Sequence, residues 1–254
     1  MTNFSAPVRS IAAVLALAGL MSAANAAAAT AATAAAAAPP PDTLQQRVAA
    51  CIACHAIRER SDAYFPRIAG KPAGYLLHQL QNFRDGRRSY PMMTYMVSQL
   101  SDDYLREIAE FFAAQHPSYP PPAPGSGALA GATTLERGRQ LVLHGDAARQ
   151  IPACVSCHGA ALGGVAPAIP GLLGLPSDYI NAQFGAWRSG TRRAAAPDCM
   201  ATIAGRVSGD DIAAVSSWLS RQPPAAGARP AATSSLAWPL PLGCGGVTGP
   251  QAAP

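Results

Sequence analysis

Cys51-Ile52-Ala53-Cys54-His55 and Cys154-Val155-Ser156-Cys157-His158 write one pentapeptide, Cys-x-x-Cys-His, twice. On a helix, cysteines at i and i+3 share a face about one turn apart. Both thiols can then reach the two vinyl groups on one edge of a porphyrin, and the histidine that follows turns its imidazole toward the iron. The spacing implies a covalently attached c-type haem at each motif, held by Cys51 and Cys54 and by Cys154 and Cys157, with His55 and His158 as iron ligands. A four-cysteine zinc ribbon places its pairs about 15–20 residues apart, far closer than Cys51 and Cys154. A thioredoxin-type pair needs a strand–helix setting that the sequence lacks.

The second axial ligand separates an electron carrier from a catalyst. Met200 is the only methionine of the second half and stands eight residues before Ser208; eight residues before Ser101 stands Met93. A thioether is a soft ligand that favours ferrous iron, and Met/His ligation raises the reduction potential. With Met93 and Met200 bound, both irons are six-coordinate and closed to substrates. Met92 and Met96 compete in the first half and Cys199 in the second, and the repeat register favours Met93 and Met200. A ligating histidine usually passes its other ring N–H to a carbonyl. Pro66 and Pro170 offer such carbonyls 11 and 12 residues after the two histidines, although a simple turn marker explains them equally well. His78, His116 and His144 fall outside the repeat and read as surface or packing residues.

The elements that must hold these groups are themselves duplicated. At an offset of 104, Pro66 matches Pro170, Gly70 matches Gly174, Tyr75 matches Tyr179, Gln79 matches Gln183, Phe83 matches Trp187, Arg84 matches Arg188 and Gly86 matches Gly190; the last helices align at 107. Ser101 and Ser208 are N-cap residues followed by Asp102 and Asp103, and by Asp210 and Asp211, in the first turn. Leu105, Ile108, Ala109 and Phe112 form an i, i+3, i+4, i+7 stripe, repeated by Ile212, Val215, Ser216 and Leu219. Middle helices are expected over 73–85 and 177–189, each stopping at a glycine. With no alternating β pattern, the fold class is all-α: two small units, each wrapped around one haem.

The ends carry an address. Arg9, an apolar run from Ile11 to Ala23 and a small-residue site at Ala24-Asn25-Ala26 read as a cleavable signal peptide over 1–26. The 13-residue run is shorter than the ~20 residues needed to cross a bilayer. An Ala/Pro-rich tether follows over 27–41, then a first haem domain over 42–116, a Pro/Gly linker over 117–132, a second haem domain over 133–222, and a Pro/Gly-rich tail over 223–254. The expected location is the periplasm. The net charge of +5 is too small to suggest nucleic-acid binding. Of 19 basic residues 18 are arginine, so a docking surface for an acidic partner would rest on Arg rather than Lys.

On these residues the chain resembles the two-haem cytochrome c4 family over about residues 45–221. The specific parts are the paired haem motifs, Phe-Pro-x-Ile-Ala-Gly at 65–70, Tyr-Leu-Leu-x-Gln at 75–79, and a Met eight residues before each serine cap. The resemblance implies two tandem cytochrome-c-like domains related by a pseudo-twofold axis, with His55 and Met93 on one iron and His158 and Met200 on the other. It implies a periplasmic electron carrier between a quinol-oxidising complex or dehydrogenase and a terminal oxidase, without a small-molecule substrate, associating with the membrane through its partners. A cytochrome subunit of a periplasmic dehydrogenase is the alternative. A dihaem peroxidase or thiosulfate dehydrogenase type enzyme ranks lower, since it needs an iron not ligated by Met. The chain departs from the family at Ala56, where Gly is frequent, and in its tail. Cys199 and Cys244 are left over once four cysteines hold haem, and in an oxidising compartment they invite a disulfide pinning the tail beside the Met side of the second haem; two unpaired thiols or a link to another subunit are the other outcomes.

Overall fold

The last helix of each half forms where the sequence supplies both a capping serine and an apolar stripe. The computed structural model describes residues 42–55, 65–116, 118, 130–225, 227–247 and 249. The signal segment, the tether and most of the 117–132 linker therefore lie outside the described residues. The chain divides into two units, residues 1–46 and 47–254. In the first, the described residues 42–46 open a helix, with the Gln46 amide donating to Thr43 Oγ1 at 3.2 Å.

The second unit holds both haem motifs. Helix α1, Leu44–Cys54, ends on the first motif; α2 runs Ala73–Arg84, α3 Pro91–Val97 and α4 Asp102–Ala113. Then follow α5 Ala132–His144, the short α6 Val155–His158, α7 Ser177–Arg188, α8 Cys199–Arg206 and α9 Gly209–Leu219. The middle helices stop within a residue of their expected ends, where Gly86 and Gly190 take φ of 73° and 74°, conformations a side chain resists. Ser101 Oγ accepts the Tyr104 amide, and Ser208 with Asp211 forms a reciprocal capping box. Both stripes read from the sequence are buried: Leu105, Ile108, Ala109 and Phe112 in α4, and Ile212, Val215, Ser216 and Leu219 in α9.

Packing repeats with the sequence. α2 lies against α3 and α4 as α7 lies against α8 and α9. In the second half α5 crosses α9 so closely that a side chain at Gly138 would collide with the Ala214 carbonyl. The first core gathers Phe83, Val97 and Leu105, and the second Leu141, Val142, Ile180, Val215 and Leu219. A two-residue hairpin, β1 Gly164–Val165 with β2 Ile169–Pro170, is the one ladder of strands among the described residues. It was not legible as alternation because it is too short to show any.

The halves meet around a pair of equivalent arginines. Arg88 and Arg192 face each other in an antiparallel bridge, closed by Ser89 N–H to the Thr191 carbonyl and Arg193 N–H to the Arg87 carbonyl, both 2.7 Å. Arg88 donates to Gln79 at 2.9 Å and to Gln183 at 2.8 Å; Arg192 donates to Gln183 at 2.7 Å and to Gln79 at 3.2 Å. Each guanidinium also covers the aromatic ring at the matching position, Arg88 over Phe83 at 4.6 Å and Arg192 over Trp187 at 3.9 Å. Every member of this network has its partner at an offset of 104, so the interface is twofold in its chemistry.

Candidate functional site

Both pentapeptides fold into the same turn. The His55 amide donates to the Cys51 carbonyl at 2.8 Å, and the His158 amide to the Cys154 carbonyl at 2.9 Å. This brings each histidine onto the side of the turn that its two cysteines share. His55 Nδ1 donates to the Pro66 carbonyl at 2.9 Å and His158 Nδ1 to the Pro170 carbonyl at 2.7 Å. A carbonyl can only accept, so Nδ1 carries the proton and Nε2 keeps its lone pair for a metal. Pro66 and Pro170 are thus more than turn markers.

The second site is described on all sides. His158, Cys154, Cys157 and Met200 line one cavity of about 430 Å³, within the range of about 300–1,000 Å³ typical of cofactor sites. His158 is buried, and burial first, then the nearby Lys71 charge, pushes its imidazole below the ordinary range toward the neutral form a metal needs. Burial pushes the Cys154 thiol up to about 11. A thiol so reluctant to ionise does not suit a zinc thiolate or a reactive dithiol, and among the described residues no cluster of three or more His, Cys, Asp or Glu is arranged to hold a metal ion.

The cavity lining has polar groups that suit a haem as well. Trp187, whose Nε1 is buried without a hydrogen-bond partner, lines it together with Lys71, Arg87 and Arg193. Burial lowers the Lys71 ammonium to about 8, and the Gly171 carbonyl accepts from it at 3.1 Å. Carboxylates such as haem propionates would answer both the orphaned N–H and the crowded positive charge. Leu172, Leu175, Phe184, Ile203 and Leu219 supply apolar walls elsewhere in the cavity.

The first site is described in part, because residues 56–64, immediately after its histidine, lie outside the described residues. Met93 packs against the Phe83, Val97 and Leu105 cluster, whereas Met92 is 58% and Met96 37% exposed. Of the three methionines, the one turned inward is therefore the one at the repeat position. In the second domain Cys199 is bonded to Cys244, with Cα atoms 5.0 Å apart, which leaves Met200 as the free sulfur of its helix.

The surroundings hold one feature that sequence reasoning missed. The Arg88 and Arg192 pair was not recognised, although both stand at the same offset as the tyrosines and glutamines they bind. His116 is exposed, as a surface residue should be, and there its Nε2 accepts from Arg229 of the tail at 2.8 Å, a contact the sequence does not signal.

No family model matches the chain. It is 36% identical over 219 residues to the thiosulfate dehydrogenase electron acceptor of Thiomonas intermedia, covering 85% of this chain and 93% of that protein. It is 35% identical over 178 residues to cytochrome c4 of Pseudomonas aeruginosa, covering 69% and 85%. Among solved structures, reduced cytochrome c4 from Pseudomonas stutzeri superimposes with a TM-score of 0.59 at 30% identity, over 72% of this chain and 98% of that one.

Proposed function

We propose that this chain, which belongs to the two-haem cytochrome c4 family and carries two covalently bound haem c groups, takes single electrons from a periplasmic dehydrogenase of the thiosulfate-oxidising class and delivers them to a terminal oxidase. As its relatives are electron-transfer cytochromes rather than enzymes, so is this protein, and its partners are redox proteins. The haem groups supply reversible one-electron chemistry at iron; the chain decides what else reaches the metal.

The ligands we assign are His55 with Met93 and His158 with Met200, and the thioether cysteines are Cys51, Cys54, Cys154 and Cys157. The observation that carries the assignment is the matched pair of Nδ1 to proline carbonyl bonds, at 2.9 and 2.7 Å. Each fixes a tautomer whose Nε2 faces away from the carbonyl. Met93 and Met200 would supply the other iron ligands, which would leave no coordination position for a substrate and keep the chemistry to electron transfer. Packing Met93 against apolar side chains and burying His158 would keep reorganisation on electron transfer small.

Support for the dehydrogenase as donor comes from the Thiomonas relative, whose name is an electron acceptor and which matches over 93% of its own length. The test is to mix the oxidised protein with a catalytic amount of thiosulfate dehydrogenase and thiosulfate. Uptake of two electrons per chain, with none from thiosulfate alone, is expected. A protein that stays oxidised in the presence of active dehydrogenase contradicts this donor.

A further inference from the structure

The two domains present the same face differently. Tyr90, Met92, Tyr95 and Met96 are the exposed large hydrophobic residues of the described chain, at 39%, 58%, 79% and 37%. All four fall within seven consecutive positions, on α3 and its N-cap, the helix that carries Met93. From Ser89 to Leu100 the chain has no charged residue. Isolated exposed apolar side chains are ordinary, whereas such a cluster marks a surface that something covers.

At the offset of 107, these positions correspond to Pro197, Cys199, Thr202 and Ile203. There the tail takes up part of the face, at Pro197 and Cys199, while the Pro197 and Thr202 side chains stay exposed. Cys199 is joined to Cys244, the Gly245 amide donates to the Pro197 carbonyl at 2.9 Å, and Gly245 packs on the Ala196 carbonyl. The tail is also fixed farther back, where Ala231 exchanges backbone bonds with Gly164 and Ala166 and Arg229 reaches His116. This segment is uncharged, with Leu240, Leu242 and Val247 lining the cavity.

We propose that the α3 face of the first domain is the docking port for redox partner proteins, which present an uncharged apolar surface to it, and that the tail, by taking up part of the equivalent face of the second domain, keeps partners off it. The occupant's chemistry is read from the uncharged segment that packs at Pro197 and Cys199 on the equivalent face in this same chain. This rests on the electron-carrier reading above. One electron leaves the reduced partner and enters the first domain, with no bond made or broken. Because the port is uncharged, the encounter depends little on ionic strength, despite the chain's 18 arginines.

Tyr95→Glu and Thr202→Glu place the same charge at equivalent exposed positions of the two domains, and Tyr95→Phe keeps the aromatic surface. Stopped-flow reduction by thiosulfate-reduced thiosulfate dehydrogenase is compared with reduction by ascorbate, which needs no docking. We expect Tyr95→Glu to slow the protein-driven step at least tenfold, and Tyr95→Phe and Thr202→Glu to stay within twofold of the parent. All should retain the parent's ascorbate rate, and the parent's rate should change less than threefold between low and high salt. Slowing by Thr202→Glu but not by Tyr95→Glu, or equal effects of both, overturns the proposal. If the dehydrogenase does not reduce the parent at all, the donor reading fails, and the port is read from oxidation of the same reduced variants by membranes containing a terminal oxidase. There a rate for Tyr95→Glu equal to the parent's overturns it.

Discussion

At the scale of single residues, the sites are built from groups whose ordinary chemistry has been constrained. A histidine bonded through Nδ1 to a carbonyl has one nitrogen left to offer, and the chain makes this arrangement at Pro66 and again at Pro170. Asp211 shows the same economy in a structural role. Desolvation alone would raise its carboxyl, but hydrogen bonds from Arg149, Ser208 and Arg137 outweigh that and hold it well below the usual carboxylate range. A depressed carboxylate stabilises the fold above its unfolded pKa of about 4 and loses that contribution as the pH falls through the folded value. Asp211→Asn should therefore narrow the difference between urea stability at pH 7 and at pH 3, mainly by lowering the value at pH 7. An unchanged difference would remove Asp211 from the acid response. The ligand-bearing residues were legible because their spacing is local and is written twice. Arg88 and Arg192 were not, because each finds its partners in the other half of the chain, and no local pattern signals a contact that long-range folding creates.

Among the elements, the caps and stripes of α4 and α9 could be read directly, since Ser101, Ser208 and the 3.6-residue periodicity are properties of the helix itself. Helix α3 and the β1–β2 hairpin escaped such reading, being too short to establish a period. The close crossing of α5 and α9 at Gly138 is likewise a fact of packing. Gly138→Ala should cost about 1–3 kcal/mol by overpacking, seen as a lower midpoint in denaturant unfolding with the haem content unchanged. The tail behaves as an element in its own right. Its disulfide spans 45 residues, and the chain-entropy model gives a loop of that length about 4 kcal/mol of stabilisation. Cys244→Ser should lose up to that amount, and non-reducing peptide mapping of the parent should recover Cys199 and Cys244 in one linked pair; recovery of both as free thiols would contradict the pairing.

For the whole molecule, the repeated histidine turns and the twofold arginine interface tie the two halves of the second unit together. Arg192, 6% exposed and hydrogen-bonded to Gln79 and Gln183, ties each half to the other. Replacing both Arg88 and Arg192 with Gln should remove about 2–4 kcal/mol and separate a single calorimetric transition into two, one for each domain. A single transition at the parent temperature would show that the halves cohere by other means. In the proposed ligand set methionine closes both irons, and the methionine-to-iron charge-transfer band of the oxidised protein reports on that. The parent should show the band at an intensity for two haems, and Met93→Ala and Met200→Ala should each retain half. A band for one haem in the parent, or one unaffected by either substitution, would contradict the account.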